Sequence, residues 1–136
     1  MIQDFKIHHV SINVCDLLKS QSFYQFLGFI DCYNYCSDDG GVKIVHLIKN
    51  NFIIELFSYS CAPTNKTISC NVEHSDIIGI DHFSLQTDNI EKAYILLKKY
   101  MQYDNGIQVG RTGIRFFFII DPDGNRIEVV EDKRLL

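Results

Sequence analysis

The chain lacks any excess of basic residues. It carries 13 Lys and Arg against 17 Asp and Glu, a formal net charge of −4, and the basic residues are scattered. Phosphate backbones are held by a basic stripe, so nucleic acid is excluded as an expected partner. Metal-type and disulfide-type cysteine spacings are also missing. Cys15, Cys32, Cys36, Cys61 and Cys70 are odd in number and contain no C-x-x-C pair, which reads as reduced thiols in a cytoplasmic protein. No apolar run approaches the roughly 20 residues that span a bilayer, so no membrane partner is expected. The opening MIQDFKIHHVSINV has neither a basic start followed by an unbroken apolar centre nor a small-residue cleavage site, so a secretory leader is not expected. With 136 residues, 46% hydrophobic and 22% charged, the chain has the size and composition of one ordered globular domain, residues 1–136.

The chain does contain an internal repeat. An offset of 73 places His9-Val-Ser-Ile-Asn-Val14 over His82-Phe-Ser-Leu-Gln-Thr87, and Asp16-Leu-Leu-Lys-Ser20 over Asn89-Ile-Glu-Lys-Ala93. The same offset, read without a gap, places Ile54-Glu55-Leu56 over Ile127-Glu128-Val129. Three matches at one offset predict two copies of one supersecondary unit. Each copy opens with period-two alternation, the pattern of a half-buried strand: Val10, Ile12 and Val14 against His9, Ser11 and Asn13, and Phe83 and Leu85 against His82, Ser84 and Gln86. A helix follows, with Asp16 or Asn89 as N-cap. The apolar stripes are Phe23, Phe26 and Leu27, then Ile90, Ala93, Leu97 and Tyr100, and Gly28 ends the first helix. Three strands complete each copy: Phe29–Cys36, Val42–Lys49 and Asn51–Tyr59, then Gln108–Arg111, Ile114–Ile120 and Arg126–Glu131. The tight turns are Lys49-Asn50-Asn51 and Asp121-Pro-Asp-Gly-Asn125. Ser60–Ser75 reads as the linker between a first βαβββ module at 6–60 and a second at 78–131.

On this plan His9 and His82 open equivalent first strands, and Glu55 and Glu128 lie on equivalent last strands. If first and last strands are neighbours, each His stands beside its Glu, and two such pairs about a pseudo-twofold axis would make an N2O2 site for one divalent metal. Imidazole suits nickel, cobalt or zinc, manganese is also chemically reasonable, and two carboxylates neutralise the ion. His8 is expected to point away from His9, because neighbours on a strand alternate. His46 and His74 have no partner at the repeat offset and read as ordinary residues. Arg111 and Arg115 could clamp an anionic substrate or stand solvated on an edge strand. Tyr59, beyond Phe57 on the Glu55 face, is a candidate pocket residue.

The motifs H-V-S-I-N-V-x-D-L-x-K-S-x-x-F-Y, L-G-F, F-I-I-E-L-F, G-I-D-H-F-S-L and D-P-D-G-N-R-I-E-V-V-E run from about residue 6 to residue 131. In them the chain resembles the vicinal-oxygen-chelate superfamily of glyoxalase I, methylmalonyl-CoA epimerase, fosfomycin-resistance proteins, bleomycin-binding proteins and extradiol dioxygenases. The resemblance implies an α+β fold: two tandem βαβββ modules forming a cupped mixed β-sheet, with helices on the outer face. A homodimer is expected, because a half-open sheet leaves strand edges that need cover. Glyoxalase I enzymes use His or Gln, then Glu, His and Glu, and here His9, Glu55, His82 and Glu128 stand at those places. Epimerases usually have Gln at the Glu55 position, and fosfomycin-resistance proteins use two His and one Glu. The expected function is therefore a glyoxalase I-like lyase or isomerase acting on a small α-hydroxy carbonyl or thiol adduct through a metal-stabilised enediolate. By the resemblance Glu128 is the base and Glu55 helps to return the proton. The alternatives are a fosfomycin-type thiol transferase or epimerase, and a metal-free binding protein of the bleomycin-resistance kind. The Arg and Asn that anchor glutathione in the family are replaced here by Asn13 and Tyr59, so the thiol and the substrate stay open.

Overall fold

A computed structural model describes residues 6–60, 80 and 82–134. The chain divides into two compact units, Met1–Thr67 and Ile68–Leu136. The first contains β1 (His9–Asn13), α1 (Leu17–Phe26), β2 (Ile30–Cys36), β3 (Val42–Lys49) and β4 (Phe52–Tyr59). The second contains β5 (His82–Gln86), α2 (Ile90–Leu97), a 3-10 turn at Lys98–Tyr100, β6 (Gln108–Val109), β7 (Arg115–Ile120) and β8 (Arg126–Glu131). Their sheets have the same strand order, β1-β4-β3-β2 and β5-β8-β7-β6. In each, the first strand runs parallel to the last and the other pairs are antiparallel. The expected α+β plan of tandem βαβββ modules is thus the observed one.

Local chemistry accounts for the element ends. Asp16 and Asn89 cap their helices by accepting hydrogen bonds from the backbone N–H of Lys19 and Lys92, each at 3.0 Å. Gly28 adopts φ +88°, which a side chain would resist. There its N–H reaches the Gln25 carbonyl and the Phe29 N–H reaches the Tyr24 carbonyl, while the Tyr24 and Phe29 rings meet edge to face. That is a Schellman stop with its apolar contact. Asn50 and Asn51 both have positive φ, 49° and 65°, as a two-residue type I′ hairpin requires. The strand expected at Gln108–Arg111 is shorter than expected. The chain turns at Gly110–Gly113, where Gly110 N–H bonds the Ile114 carbonyl, so Arg111 lies in a turn.

Each helix covers one face of its own sheet. α1 packs on β3 and β4, and α2 on β7 and β8. Below α1 lie Leu47, Ile54 and Leu56, and below α2 lie Phe117, Ile119 and Ile127, all at most 1% exposed. Complete burial of one such side chain contributes about 2 kcal/mol of apolar transfer. Phe23 and Leu27 join this core, but Phe26 is half exposed. The other face of each sheet carries His9, Ser11 and Glu55, or His82, Ser84 and Glu128. The repeat registers are 73 on β1, β2 and β4, but β3 departs from them. His46 stands opposite Glu55 and Phe118 opposite Glu128, so β3 matches β7 at 72. The alignment therefore needs two compensating one-residue gaps. The first unit has one more residue between β2 and β3 and one fewer in the β3–β4 hairpin.

Candidate functional site

The parallel pairing of first and last strands builds the polar face. In β1–β4 it sets Ser11 opposite Glu55, and in β5–β8 it sets Ser84 opposite Glu128. Histidine precedes each serine by two residues and so shares its face. His9 Nε2 lies 3.7 Å from Glu55 Oε1, and His82 Nε2 lies 3.4 Å from Glu128 Oε2. Each unit thus brings its expected His and Glu together, and the condition that first and last strands be neighbours is met. The side chains of Glu55 and Glu128 are 16% and 20% exposed, sheltered but reachable.

Serine completes each cluster. Ser84 Oγ donates to Glu128 Oε2 at 2.5 Å, and Ser11 donates to the Glu55 carboxylate. Burial pushes the Glu55 carboxyl upward, yet hydrogen bonds from His46 and Ser11, with the charges of His9 and His46, hold it below the ordinary glutamate value.

His46 corrects the expectation of an ordinary residue. Its Nε2–H donates to Glu55 Oε2 at 2.6 Å, and its ring stacks on His9 at 6.3 Å and tilts against Tyr33 at 5.8 Å. The uninterrupted offset of 73 hid it, because that offset lays His46 over the buried Ile119. Counting back from each hairpin turn instead would have paired His46 with Glu55 and Phe118 with Glu128. His8 corrects a second expectation: its Nδ1 lies 2.9 Å from His9 Nδ1. His8 precedes β1, so the alternation of a strand does not govern it.

In the second unit Phe118 fills the position of His46, meeting His82 edge to face at 5.1 Å, with the Arg126 guanidinium over its ring at 4.1 Å. Arg126 is two residues from Glu128 on the same strand face, a cation that sequence reasoning passed over. Arg115 lies on the opposite, helix-side face. It bonds Glu131 at 2.9 Å and pairs with Glu91 of α2, so it is not placed as a clamp beside Glu128. Tyr59 is exposed and stacks on Phe57 at 5.8 Å, next along the Glu55 face. His74, Cys61 and Cys70 lie outside the described residues. Cys15, Cys32 and Cys36 are exposed.

An imidazole nitrogen beside a carboxylate is the right donor chemistry for a transition-type divalent ion. Among the described residues no group of three His, Cys, Asp or Glu side chains is arranged to hold a metal. Each unit therefore supplies donors that fit in kind, His9 with Glu55 and His82 with Glu128. Each pair alone falls short of the three or more protein ligands a catalytic ion takes.

Comparison with known proteins agrees with the fold. The family model described as the Glyoxalase/Bleomycin resistance protein/Dioxygenase superfamily matches residues 6–129. The chain is 29% identical to the uncharacterized protein YwkD of Bacillus subtilis (strain 168), covering 92% of this chain and 95% of that one. A glyoxalase family protein from Enterococcus faecalis shares the fold, with TM-score 0.72 and 23% identity over 93% of this chain and 97% of that one. The trypanothione-dependent glyoxalase I of Leishmania major does so with TM-score 0.67 and 20% identity, over 96% and 88%.

Proposed function

This chain belongs to the Glyoxalase/Bleomycin resistance protein/Dioxygenase superfamily, and we propose that within it the protein is a glyoxalase I-like, metal-dependent lyase or isomerase. Its substrate would be a small α-hydroxy carbonyl compound or a thiol adduct. The observation that carries the reading is the duplicated His–Ser–Glu cluster, which occurs once on the polar face of each sheet. Members of the superfamily commonly bind a divalent metal. The proposed ligands are His9, Glu55, His82 and Glu128, for nickel, cobalt, zinc or manganese, with 6–60 and 78–131 as the two modules of a single domain. Whether the two pairs meet within one chain or across a homodimer is set by assembly, and a homodimer is the proposed state. The exposed thiols of Cys32 and Cys36 agree with a reducing cytoplasmic setting. Among the described residues no helix is long and apolar enough to cross a membrane.

When bound, a divalent metal there supplies Lewis acidity to adjacent substrate oxygens and so acidifies the neighbouring C–H. The proton then needs a carboxylate acceptor. Glu128 is proposed as that base, with the Ser84 hydroxyl orienting its Oε2. Glu55 helps to return the proton to the neighbouring carbon. Because Asn13 and Tyr59 stand where glutathione anchors would be, a different thiol is favoured over glutathione. The sheltered Glu side chains and the Phe57–Tyr59 stack suit a small, partly apolar substrate.

The test begins with elemental analysis of the purified protein beside His9→Ala/Glu128→Gln. The expected result is about one divalent ion per chain, lost in the double variant. Thiol adducts of α-ketoaldehydes are then offered as substrates, and Glu128→Gln should abolish isomerisation. Full activity in Glu128→Gln would remove the assigned base. A wild-type protein that takes up neither nickel nor zinc would leave a metal-free binding protein on the same fold.

A further inference from the structure

The two halves of the proposed site are not equivalent. Glu55 has its oxygens divided: Oε2 accepts from His46 at 2.6 Å, while Oε1 is the atom that faces His9 at 3.7 Å. Glu128 has both contacts on one atom, with Ser84 at 2.5 Å and His82 at 3.4 Å from Oε2. Opposite Glu128 stands Phe118, which has no N–H or O–H to donate. The difference is built into the strands, since His46 and Phe118 occupy the same register position across from the two glutamates. His46 is itself held in place between the rings of Tyr33 and His9.

We propose that His46 is a positioning residue for Glu55: by occupying Oε2 it turns Oε1 toward His9 and, beside the bond from Ser11, makes Glu55 the more firmly held carboxylate of the pair. The inference rests on the metal-dependent reading above. A carboxylate anchored through one oxygen is a preorganised single-oxygen ligand, because outer hydrogen bonds orient the ligands they touch. Glu128, with Phe118 across from it, is held by Ser84 through Oε2 alone and lacks the second anchor that His46 gives Glu55, so it is the carboxylate better able to leave a ligand position and carry a proton. His46 thereby divides labour between two residues that the repeat alone makes identical.

The test is zinc affinity of the full chain by chelator competition, with thermal melting as the control for folding. His46→Phe copies the second half into the first. It should weaken zinc binding about 10- to 100-fold, the usual effect of losing an outer hydrogen bond to a ligand. His46→Gln keeps an N–H donor at similar reach and should recover wild-type affinity to within about threefold. His46→Asn, too short to reach Oε2, should bind as weakly as the Phe variant, and it carries the test if that variant does not fold. Wild-type affinity in the Phe or Asn variant would overturn the positioning role. An equally deep loss in His46→Gln would make His46 a ligand and overturn it as well. No zinc uptake by the wild type would defeat the metal-dependent reading and this role with it, an outcome visible in the wild-type titration alone.

Discussion

Asp121 is 3% exposed in the turn that joins β7 to β8. Its Oδ1 accepts from the backbone N–H of Asp123 at 2.9 Å and of Asn125 at 2.8 Å, and Oδ2 accepts from Asn125 Nδ2 at 2.7 Å. Removing the carboxylate in Asp121→Ala breaks all three bonds and strands two backbone donors. Bonds to a charged acceptor are worth about 1.5–3 kcal/mol each when fully sheltered. Asp123 and Asn125 are only half-buried, so water can replace part of what is lost. About 1 kcal/mol per bond is then the appropriate figure, and Asp121→Ala should cost about 3 kcal/mol. Asp121→Asn keeps an oxygen for the two backbone donors but turns an amide toward Asn125 Nδ2, and should cost about 1 kcal/mol. For a domain of this size 1 kcal/mol moves the melting temperature by roughly 4 °C, so the Ala variant should melt about 12 °C early and the Asn variant about 4 °C early. Thermal and urea unfolding followed by circular dichroism read both values. An Ala variant within about 0.5 kcal/mol of wild type would refute the reasoning, because surface substitutions without a structural role fall in that range. Equal losses in the two variants would show that the charge, and not the acceptor geometry, holds the turn.

Two further outcomes follow from charged groups away from the clusters. Arg115→Met should lower the melting temperature, because Glu131, 5% exposed, loses its bonded guanidinium, while metal uptake and KM stay unchanged; a raised KM with unaltered melting would restore Arg115 as a substrate clamp. Hydrogen bonds from the Arg134 side chain, then from its backbone N–H, hold the Asp132 carboxyl down to about 2, below the value of about 3.9 expected in the unfolded chain. A depressed carboxyl stabilises the fold above the unfolded value, so its contribution should be complete above about pH 4 and lost as the pH falls toward 2. Carbon-detected NMR titration should place the midpoint near 2 and Arg134→Ala should raise it, whereas a wild-type midpoint near 3.9 would disprove the coupling.

Most of the element plan was legible because it is written in local chemistry. Caps at Asp16 and Asn89, the stop at Gly28 and the paired asparagines of the β3–β4 hairpin each act within a few residues of themselves. Period-two alternation on β1 and β5 told which residues share a face, and it placed His9 with Ser11 and His82 with Ser84. What failed was set at longer range or by backbone freedom. β6 ended early because the chain turns at Gly110–Gly113, removing Arg111 from the strand. Arg115 read as a free cation because its partners, Glu91 and Glu131, are 24 and 16 residues away along the chain. His8 was misjudged by extending the rule of β1 one residue beyond its start.

The misreading of His46 has a sharper cause. A strand alternates faces with period two, so a one-residue slip exchanges the core face for the polar one. At the offset of 73, His46 falls on Ile119, which is fully buried under α2, and the repeat appears to offer it nothing. The compensating length changes on either side of β3 shift its true counterpart to Phe118 and return both residues to the glutamate-facing side. A duplicated chain read at one fixed offset therefore reveals what the halves share: His9 with Glu55, and His82 with Glu128. It conceals the positions where they diverge, because divergence in loop length is what breaks the offset. Those positions matter most for the proposed site, which draws one His–Glu pair from each half. Two identical carboxylates would have no reason to take the different roles proposed for them, and the histidine donor opposite Glu55 with a bare aromatic ring opposite Glu128 is the difference on which that proposal stands.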